Sequence, residues 1–331
     1  MRKVTWTFFS IVTSSLLVLG GCSENSTREK ELEKEVTELK KQIEEQKAEE
    51  KVVKEEEKKE DITVKVIDPS NQKEIKVIDP KKLGYETDRE KYRKIIENWA
   101  KRLARGSEGK EGYDQKMTPD KIGKNGVIIK GKPRRILEES ELIEKVMTAS
   151  EKGGTVELPL YVTESGYNPT EVQQLGEVVV ASYTTYYNSG VAGRSKNIEL
   201  SARAINNAIL GVDDMFSFNT AVGPSDAAHG YQPAEEAVNG KLVMGIGGGI
   251  CQTSSTLYNA IDKLGVKYIE KHHHSVNVGY VPKGRDATVS YGGVDFRFQN
   301  TVGVPLLLKA YTKNGTLTVE VRTSKKYKGL I

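Results

Sequence analysis

The chain has 331 residues, of which 37% are hydrophobic and 29% are charged, and its formal net charge is +4. The length allows two modest domains of roughly 100–200 residues each. The hydrophobic fraction lies below the roughly 45–50% of an ordinary globular chain, so part of the chain is expected to lie outside a packed core. The small net charge argues against a nucleic-acid partner, and two cysteines are too few for a disulfide framework.

The first 21 residues are typical of a secretory signal peptide. Two basic residues precede an apolar run over residues 4–19, which is shorter than the roughly 20 residues that a spanning helix needs. The sequence LGGC at residues 19–22 resembles the lipobox of bacterial lipoproteins. We therefore expect cleavage after residue 21 and acylation of Cys22, which would anchor an exported protein at the outer face of the cytoplasmic membrane. Ordinary cleavage with Cys22 as an incidental thiol is the alternative.

Residues 22–61 are interpreted as a charged tether. Apolar residues recur there at spacings of four and three, which gives about two heptads of a coiled-coil seam. These residues are Leu32, Val36, Leu39 and Ile43. The pattern stops at Gln46, and the many Lys and Glu side chains that surround it cannot form a core. A solvated spacer, helical or disordered, is therefore favoured over a weak coiled coil.

Residues 62–170 are predicted to form a small α+β module. The sequence KVIDP occurs at residues 65–69 and 76–80 and is typical of short strands closed by turns. A helix is predicted to stop at Gly106, a second helix to cover residues 140–150, and a strand to cover residues 155–162. The Gly-x-Pro turn, helix and VELPLYV strand resemble a peptidoglycan-binding domain, and we assign that role to the module as an expectation.

Residues 171–331 are predicted to form a second α+β domain, in which a cysteine-bearing helix packs on an antiparallel sheet. One amphipathic helix is predicted over residues 197–210, and a second follows the glycine run at residues 245–249 and ends at Gly265. Strand patterns follow over three segments: residues 275–281, 287–291 and 295–298. A hairpin over residues 305–322 is predicted to turn at Asn314-Gly315.

Four motifs in this domain, in one order along the chain, resemble the VanW family, which is named for a protein encoded with B-type vancomycin resistance. They are GGGICQ at residues 247–252, HS at 274–275, GRDATV at 284–289 and DF at 295–296. The resemblance covers roughly residues 194–311. It implies a cell-envelope setting and a link to peptidoglycan. The chain departs from the family at residues 212–214, where a Pro-Gly turn is usual.

The glycine run does not match a nucleotide-binding loop, because Cys251 and Gln252 stand where a P-loop needs Lys and Ser/Thr, and the spacing does not fit the dinucleotide motif. We expect the glycines to allow close backbone approach and to place Cys251 in the first turn of a helix. The free N–H groups there would favour a thiolate and stabilise an oxyanion. The alternative is a buried cysteine that packs as a small apolar residue.

A nucleophilic cysteine needs a base, and His274 is predicted to be that base. On a strand, His274 would face inward while His273 would face the opposite side. Asp286 at the start of the next predicted strand could orient the imidazole, with Asp295 as the substitute if the register differs.

Zinc is the competing chemistry, with His272, His274 and Cys251 as ligands. Strand alternation leaves at most two of the three consecutive histidines on one face. We therefore predict no metal and no other cofactor.

The sequence thus predicts a cell-envelope lipoprotein that acts on peptidoglycan, with partners limited to peptidoglycan and, through the lipid, the membrane. As an enzyme it would transfer acyl groups of the stem peptide, with Cys251 as nucleophile, His274 as base and Asp286 as the orienting group, by hydrolysis or transpeptidation. The residues expected to bind substrate are Gly247, Gly248, Gly249, Gln252 and Tyr280. The alternative is a non-catalytic wall-binding protein linked to glycopeptide resistance.

Overall fold

The computed structural model describes residues 25–56, 62–107, 109–238 and 241–331. The predicted signal peptide and Cys22 lie outside the described residues. The chain divides into two units, Met1–Ile62 and Thr63–Ile331. Across the described ranges, no helix is both long enough and apolar enough to cross a membrane.

The described part of the tether is one 32-residue helix, α1 (Asn25–Glu56). Its apolar side chains do not form a core, since Leu32 and Ile43 remain 54% and 49% exposed. Of the two forms predicted for the charged tether, the structure shows the helical one.

The second unit begins with an α+β region built from short strands and two helices. Its elements are β1 (Val64–Ile67), β2 (Glu74–Ile78), α2 (Arg89–Arg105), β3 (Lys121–Ile122), β4 (Ile128–Ile129), β5 (Arg134–Leu137), α3 (Glu139–Ala149), β6 (Gly154–Glu157) and β7 (Leu160–Thr163). Strand β1 pairs antiparallel with β2 and parallel with β6. Apolar side chains of α2 and α3 pack together on this sheet, among them Tyr92, Trp99, Leu142 and Val146.

The rest of the unit contains the antiparallel sheet and the cysteine-bearing helix that the sequence predicts. Its elements are β8 (Val178–Tyr186), α4 (Ala192–Ile205), β9 (Ile209–Leu210), β10 (Met215–Ser217), α5 (Phe218–Val222), β11 (Pro233–Val238), β12 (Lys241–Ile246), α6 (Ile250–Ile261), β13 (Lys267–Glu270), β14 (Arg297–Gln299), β15 (Leu306–Lys313) and β16 (Thr316–Thr323). The main sheet has the order β8-β16-β15-β9, and α6 packs against β8 and β16. Strands β10, β14 and β13 form a smaller sheet, and β11 and β12 form a hairpin.

Helix α6 is buried almost throughout although many of its residues are polar. Its hydroxyl groups bond back to carbonyl groups one turn earlier: Ser255 Oγ donates to Cys251 O at 2.7 Å, and Thr256 Oγ1 donates to Gln252 O at 2.7 Å. Because a buried hydroxyl without a partner is costly, these bonds let a Ser/Thr-rich helix occupy the domain centre.

Several predicted elements are confirmed. Helices α2 and α3 occupy the predicted segments, and α2 stops just before Gly106, which has φ +85°. The final hairpin turns at Asn314 and Gly315, both with positive φ. The helix predicted over residues 197–210 is shifted to α4, because Asn207 adopts φ +62° and Ile209 and Leu210 join the main sheet as β9.

Other predicted strands are wrong. The strand predicted over residues 155–162 is split at Pro159 into β6 and β7, which belong to different sheets, because proline cannot donate to a strand ladder. Residues 275–281 and 287–291 are irregular, and only residues 297–298 of the third segment lie in a strand, β14, which ends at Gln299.

Candidate functional site

The glycine run forms the tight connection between β12 and α6. Gly247 and Gly249 have φ +103° and +113°, values that favour glycine, and α6 begins at Ile250, which confirms that Cys251 lies in the first turn of a helix. At Gly248 a Cβ atom would lie 2.5 Å from the carbonyl oxygen of Glu235, so strand β11 passes too close for any side chain.

The buried side chain of Asn197 on α4 holds this loop in place. Its Nδ2 donates to the carbonyl groups of Gln232 and Gly248, each at 2.9 Å, and its Oδ1 accepts from the Gln232 N–H at 2.8 Å. The glycine loop, α4 and the start of β11 are therefore tied together at one point.

A cavity of about 960 Å³ opens beside the start of α6. Its walls come from α4, the β11–β12 hairpin, the glycine loop and two irregular segments around residues 274–280 and 288–294. Gly247, Gly248, Gly249, Cys251, Gln252, His274 and Tyr280 all lie along it. The structure thus brings together every predicted site residue except Asp286, which lies directly behind His274.

Asp286 is bonded to both neighbouring histidines. Its Oδ2 lies 2.7 Å from His274 Nδ1 and accepts from the His274 backbone N–H at 2.7 Å, while its Oδ1 lies 2.8 Å from His273 Nδ1. The expectation that His273 points away from His274 is therefore wrong. The segment is not a strand, so side-chain alternation does not apply to it.

The Asp286 carboxyl is ionised under ordinary conditions. Burial raises its pKa, but the hydrogen bonds from the His274 backbone and from both imidazoles outweigh this effect and lower the pKa from 3.8 to about 2. An ionised carboxylate only accepts hydrogen bonds, so the Nδ1 atoms of both histidines carry protons. In the neutral form of the His274 imidazole, Nε2 is then the acceptor nitrogen, and it makes no hydrogen bond within the described part of the chain.

Cys251 is in a different state from the one that the sequence predicts. Its Sγ donates to the Val289 carbonyl at 3.4 Å, and no hydrogen bond joins it to His274 among the described residues. Burial raises the pKa of the thiol despite that hydrogen bond, the charge of Glu236 raises it further, and the charge of Arg194 lowers it. The expected thiolate is therefore wrong for the free protein, because burial outweighs the helix end.

Gln252 is buried, and its amide is fully used within the protein. Its Nε2 donates to Tyr186 O at 2.9 Å and to Thr185 Oγ1 at 3.1 Å, and its Oε1 accepts from Arg194 Nη2 at 2.8 Å. The sequence predicts that Gln252 binds substrate; in the structure it lies along the cavity, and its amide positions Arg194.

Two residues that the sequence analysis missed also lie along the cavity. The Arg194 guanidinium stands over the ring of Tyr280, 5.8 Å from its centroid. The buried Oγ1 of Thr288 has no hydrogen-bond partner among the described residues, so it is free to bond a ligand. Arg194 lies outside the four sequence motifs, and Thr288 lies in GRDATV but gives no local signal of a binding role; only the fold brings both residues to the cavity.

The other residues considered for the site lie elsewhere. Asp295, the substitute for Asp286, is buried under the small sheet, where it accepts from Ser217 Oγ at 2.6 Å and pairs with Lys116 at 3.4 Å. His272 Nε2 contacts Glu270 Oε1 at 3.2 Å. Within the ranges that the structure describes, no cluster of three or more His, Cys, Asp or Glu residues could hold a metal ion.

Comparison with known proteins places this site inside a recognised domain. Residues 193–322 match the model of the family described as VanW like protein. Over 152 residues the chain is 47% identical to the uncharacterized protein YoaR of Bacillus subtilis, covering 46% of this chain and 48% of YoaR. Over 109 residues it is 31% identical to the vancomycin B-type resistance protein VanW of Enterococcus faecalis, covering 31% of this chain and 40% of that protein.

The chain thus spans less than half the length of the curated relatives that it matches. No solved structure matches it significantly. All the residues named along the cavity lie within the matched segment.

Proposed function

The chain carries a VanW-family domain, and on that premise we propose that it is a cell-wall protein whose cavity binds the peptidoglycan stem peptide and transfers its acyl groups through Cys251. The observation that carries the proposal is that Cys251, at a helix start, and His274, oriented by Asp286, line one cavity of about 960 Å³. A cavity of that volume accommodates a short peptide.

The proposed reaction starts from a neutral thiol and a neutral imidazole. His274 Nε2 accepts the Cys251 proton as Sγ attacks the amide carbonyl, and the Cys251 N–H at the helix start donates to the oxyanion. The C–N bond then breaks, and the proton on His274 passes to the leaving amine. Water or an acceptor amine next attacks the thioester, with His274 as base again, and restores the thiol.

The hydrogen bond from Cys251 Sγ to the Val289 carbonyl must break before this reaction can occur. Catalytic hydrogen bonds in free enzymes are often long and form fully only when substrate is bound. In this proposal a bound peptide displaces water from the cavity and turns Cys251 Sγ towards His274.

The second candidate is a non-catalytic protein that holds the peptide in the same cavity. The raised pKa of Cys251 and the bond from its Sγ to Val289 O favour this candidate, because a resting thiol–imidazole pair is what a cysteine nucleophile ordinarily uses.

Mass spectrometry after incubation with muropeptides distinguishes the two candidates. We expect an acyl adduct on Cys251 that is lost in Cys251→Ala and in His274→Ala and retained in His272→Ala, whose imidazole contacts Glu270 instead. Muropeptides that bind without any adduct or product would establish the non-catalytic candidate.

We also propose that the protein is exported and held at the outer face of the cytoplasmic membrane by a lipid on Cys22, with residues 62–170 assisting in peptidoglycan binding. The LGGC sequence at residues 19–22 supports the anchor. Cys22→Ser should move the protein to the medium or leave it unprocessed, and a variant that stays in the membrane fraction at its mature size would refute the lipid anchor.

A further inference from the structure

Arg194 contributes a positive charge to the cavity that no carboxylate of the described residues neutralises. Two neighbours orient its guanidinium: Gln252 accepts from Nη2, and the Tyr280 ring lies beneath it. Across the described residues, Arg194 makes no ion pair. A guanidinium oriented in this way keeps donors free for a planar anion such as a carboxylate.

Glu236 on β11 contributes an unneutralised negative charge to the same cavity. Its carboxylate has neither a hydrogen bond nor an ion pair in the described part of the chain, and burial raises its pKa. A Cβ atom at Gly245 on β12 would collide with Glu236 Oε1, so the glycine makes the room that this carboxylate occupies. Burial of an unpaired carboxylate is costly, and a cation bound there would remove that cost.

Arg194 and Glu236 belong to different elements that line the cavity, α4 and β11, and both charges act on the Cys251 thiol. They do not approach within ion-pair distance of each other. The cavity therefore presents two opposite charges, near the cysteine, that remain available to a ligand.

We propose that the cavity recognises a peptide that carries both a free carboxylate and a free ammonium group, with the carboxylate bound by Arg194 and the ammonium bound by Glu236. This inference rests on the proposed function and names its substrate class: a stem peptide that ends in a free carboxylate and contains a diamino acid with an unlinked side-chain amine. A peptide already crosslinked through that amine lacks the ammonium and is excluded as a tight ligand.

Calorimetric titration of the Cys251→Ala protein tests the proposal without turnover. The probe is N-acetyl-L-lysyl-D-alanyl-D-alanine, compared with its C-terminal amide and its Nε-acetyl derivative. Because charge-assisted hydrogen bonds are worth about 1.5–3 kcal/mol, we expect each modification to weaken binding by about tenfold or more. The amide penalty should disappear when Arg194→Met is added, and the acetyl penalty should disappear when Glu236→Gln is added.

Matched controls use other charged residues of α4. Arg203→Met and Glu199→Gln each remove an exposed charge of α4 that does not line the cavity; both penalties should persist in these variants. Any one of three results would overturn the proposal. They are equal affinity for the three peptides, penalties that persist in Arg194→Met and Glu236→Gln, and no measurable binding of the unmodified peptide at millimolar concentration.

The same peptides separate this inference from the acyl-transfer proposal. If the wild-type protein forms a Cys251 adduct equally fast with charged and modified peptides, acyl transfer stands and charge recognition fails. If the binding penalties follow Arg194 and Glu236 but no adduct or product forms, charge recognition stands and acyl transfer fails.

Discussion

The Cys251 thiol donates a hydrogen bond to the carbonyl oxygen of Val289, with 3.4 Å between Sγ and O. A thiolate could not make this bond, so the geometry belongs to the protonated cysteine. This agrees with burial as the main cause that raises the pKa of the thiol. In the free protein the candidate nucleophile is therefore a protonated thiol.

We predict that iodoacetamide alkylates Cys251 slowly at pH 7 and faster only as the pH rises beyond the roughly 8.5 of a free thiol. Glu236→Gln should speed the reaction at a given pH, because the negative charge raises the thiol pKa, and Arg194→Met should slow it. Each change should be at most about tenfold, which corresponds to one pKa unit. Mass spectrometry of the alkylated peptide measures all three rates.

The variant His274→Ala shows whether His274 acts on the thiol in the free protein or only during the proposed reaction. Since no hydrogen bond links His274 to the thiol in the described structure, alkylation by the small uncharged reagent should be nearly unchanged, whereas adduct formation with muropeptides should be lost. Fast alkylation at pH 6 that depends on His274 would instead establish a resting thiolate–imidazolium pair.

Asp286 should make the free energy of unfolding depend on pH in the acid range. Its pKa is about 2 in the folded protein against roughly 3.9 for a free aspartate, so the folded state favours the ionised form. This stabilisation, about 2.5 kcal/mol by linkage, is fully present above about pH 5 and is lost as the pH falls through about 2. Asp286→Asn should therefore lower the free energy of unfolding by about that amount at pH 7 and by much less at pH 2.

Urea unfolding of both proteins at several pH values measures this difference. Asp226→Asn is the matched control, because Asp226 also contacts a histidine, His229, but on the surface, where such a pair contributes little. A difference between wild type and Asp286→Asn that does not change between pH 7 and pH 2 would contradict the assignment.

Gly248→Ala should destabilise the domain by about 1–3 kcal/mol, the usual cost of overpacking. The added Cβ would lie 2.5 Å from Glu235 O and 2.6 Å from Ala234 O, and these are backbone atoms of a paired strand that cannot rotate away. Gly176→Ala is the control, since its Cβ would meet only Leu307 Cδ2 at 3.9 Å. Thermal unfolding compares them, and equal melting temperatures would show that β11 can move away from the loop.

The sequence predicts those parts of the fold whose signals are local. At three places the sequence contains the residue that a positive φ requires. These places are Gly106 after the first predicted helix, the Asn314-Gly315 turn and the glycine run before Cys251. The two irregular segments beside the cavity were predicted as strands because their apolar residues alternate. They lack strand partners in the fold, which no local pattern reveals.

The sequence identifies the candidate nucleophile, base and orienting residue, but not the charged side chains beside them or the protonation state of the thiol. Cys251, His274 and Asp286 follow from residue chemistry and chain order. Arg194 lies more than one element away from the glycine run in sequence, and Glu236 lies on a strand that carries no motif. Only the packing of α4 and β11 brings the two residues to the cavity. The protonation state of the thiol depends on burial, which a sequence does not specify.

Gln252→Glu tests whether Arg194 must be free of carboxylates for the cavity to recognise a ligand. The new carboxylate would lie where Oε1 now accepts from Arg194 Nη2 at 2.8 Å and would neutralise the guanidinium. It would also lose the Nε2 donor to Thr185 and Tyr186, which costs about 1–3 kcal/mol of stability for a buried group left unpaired. Gln252→Met, which removes the same donor but adds no charge, is the matched control for that loss.

In the Cys251→Ala background, we expect Gln252→Glu to abolish the preference for the carboxylate peptide over its amide, whereas Gln252→Met should weaken that preference but retain part of it. Titration of the two peptides measures this difference, and an undiminished preference in Gln252→Glu would show that Arg194 is not the carboxylate's partner.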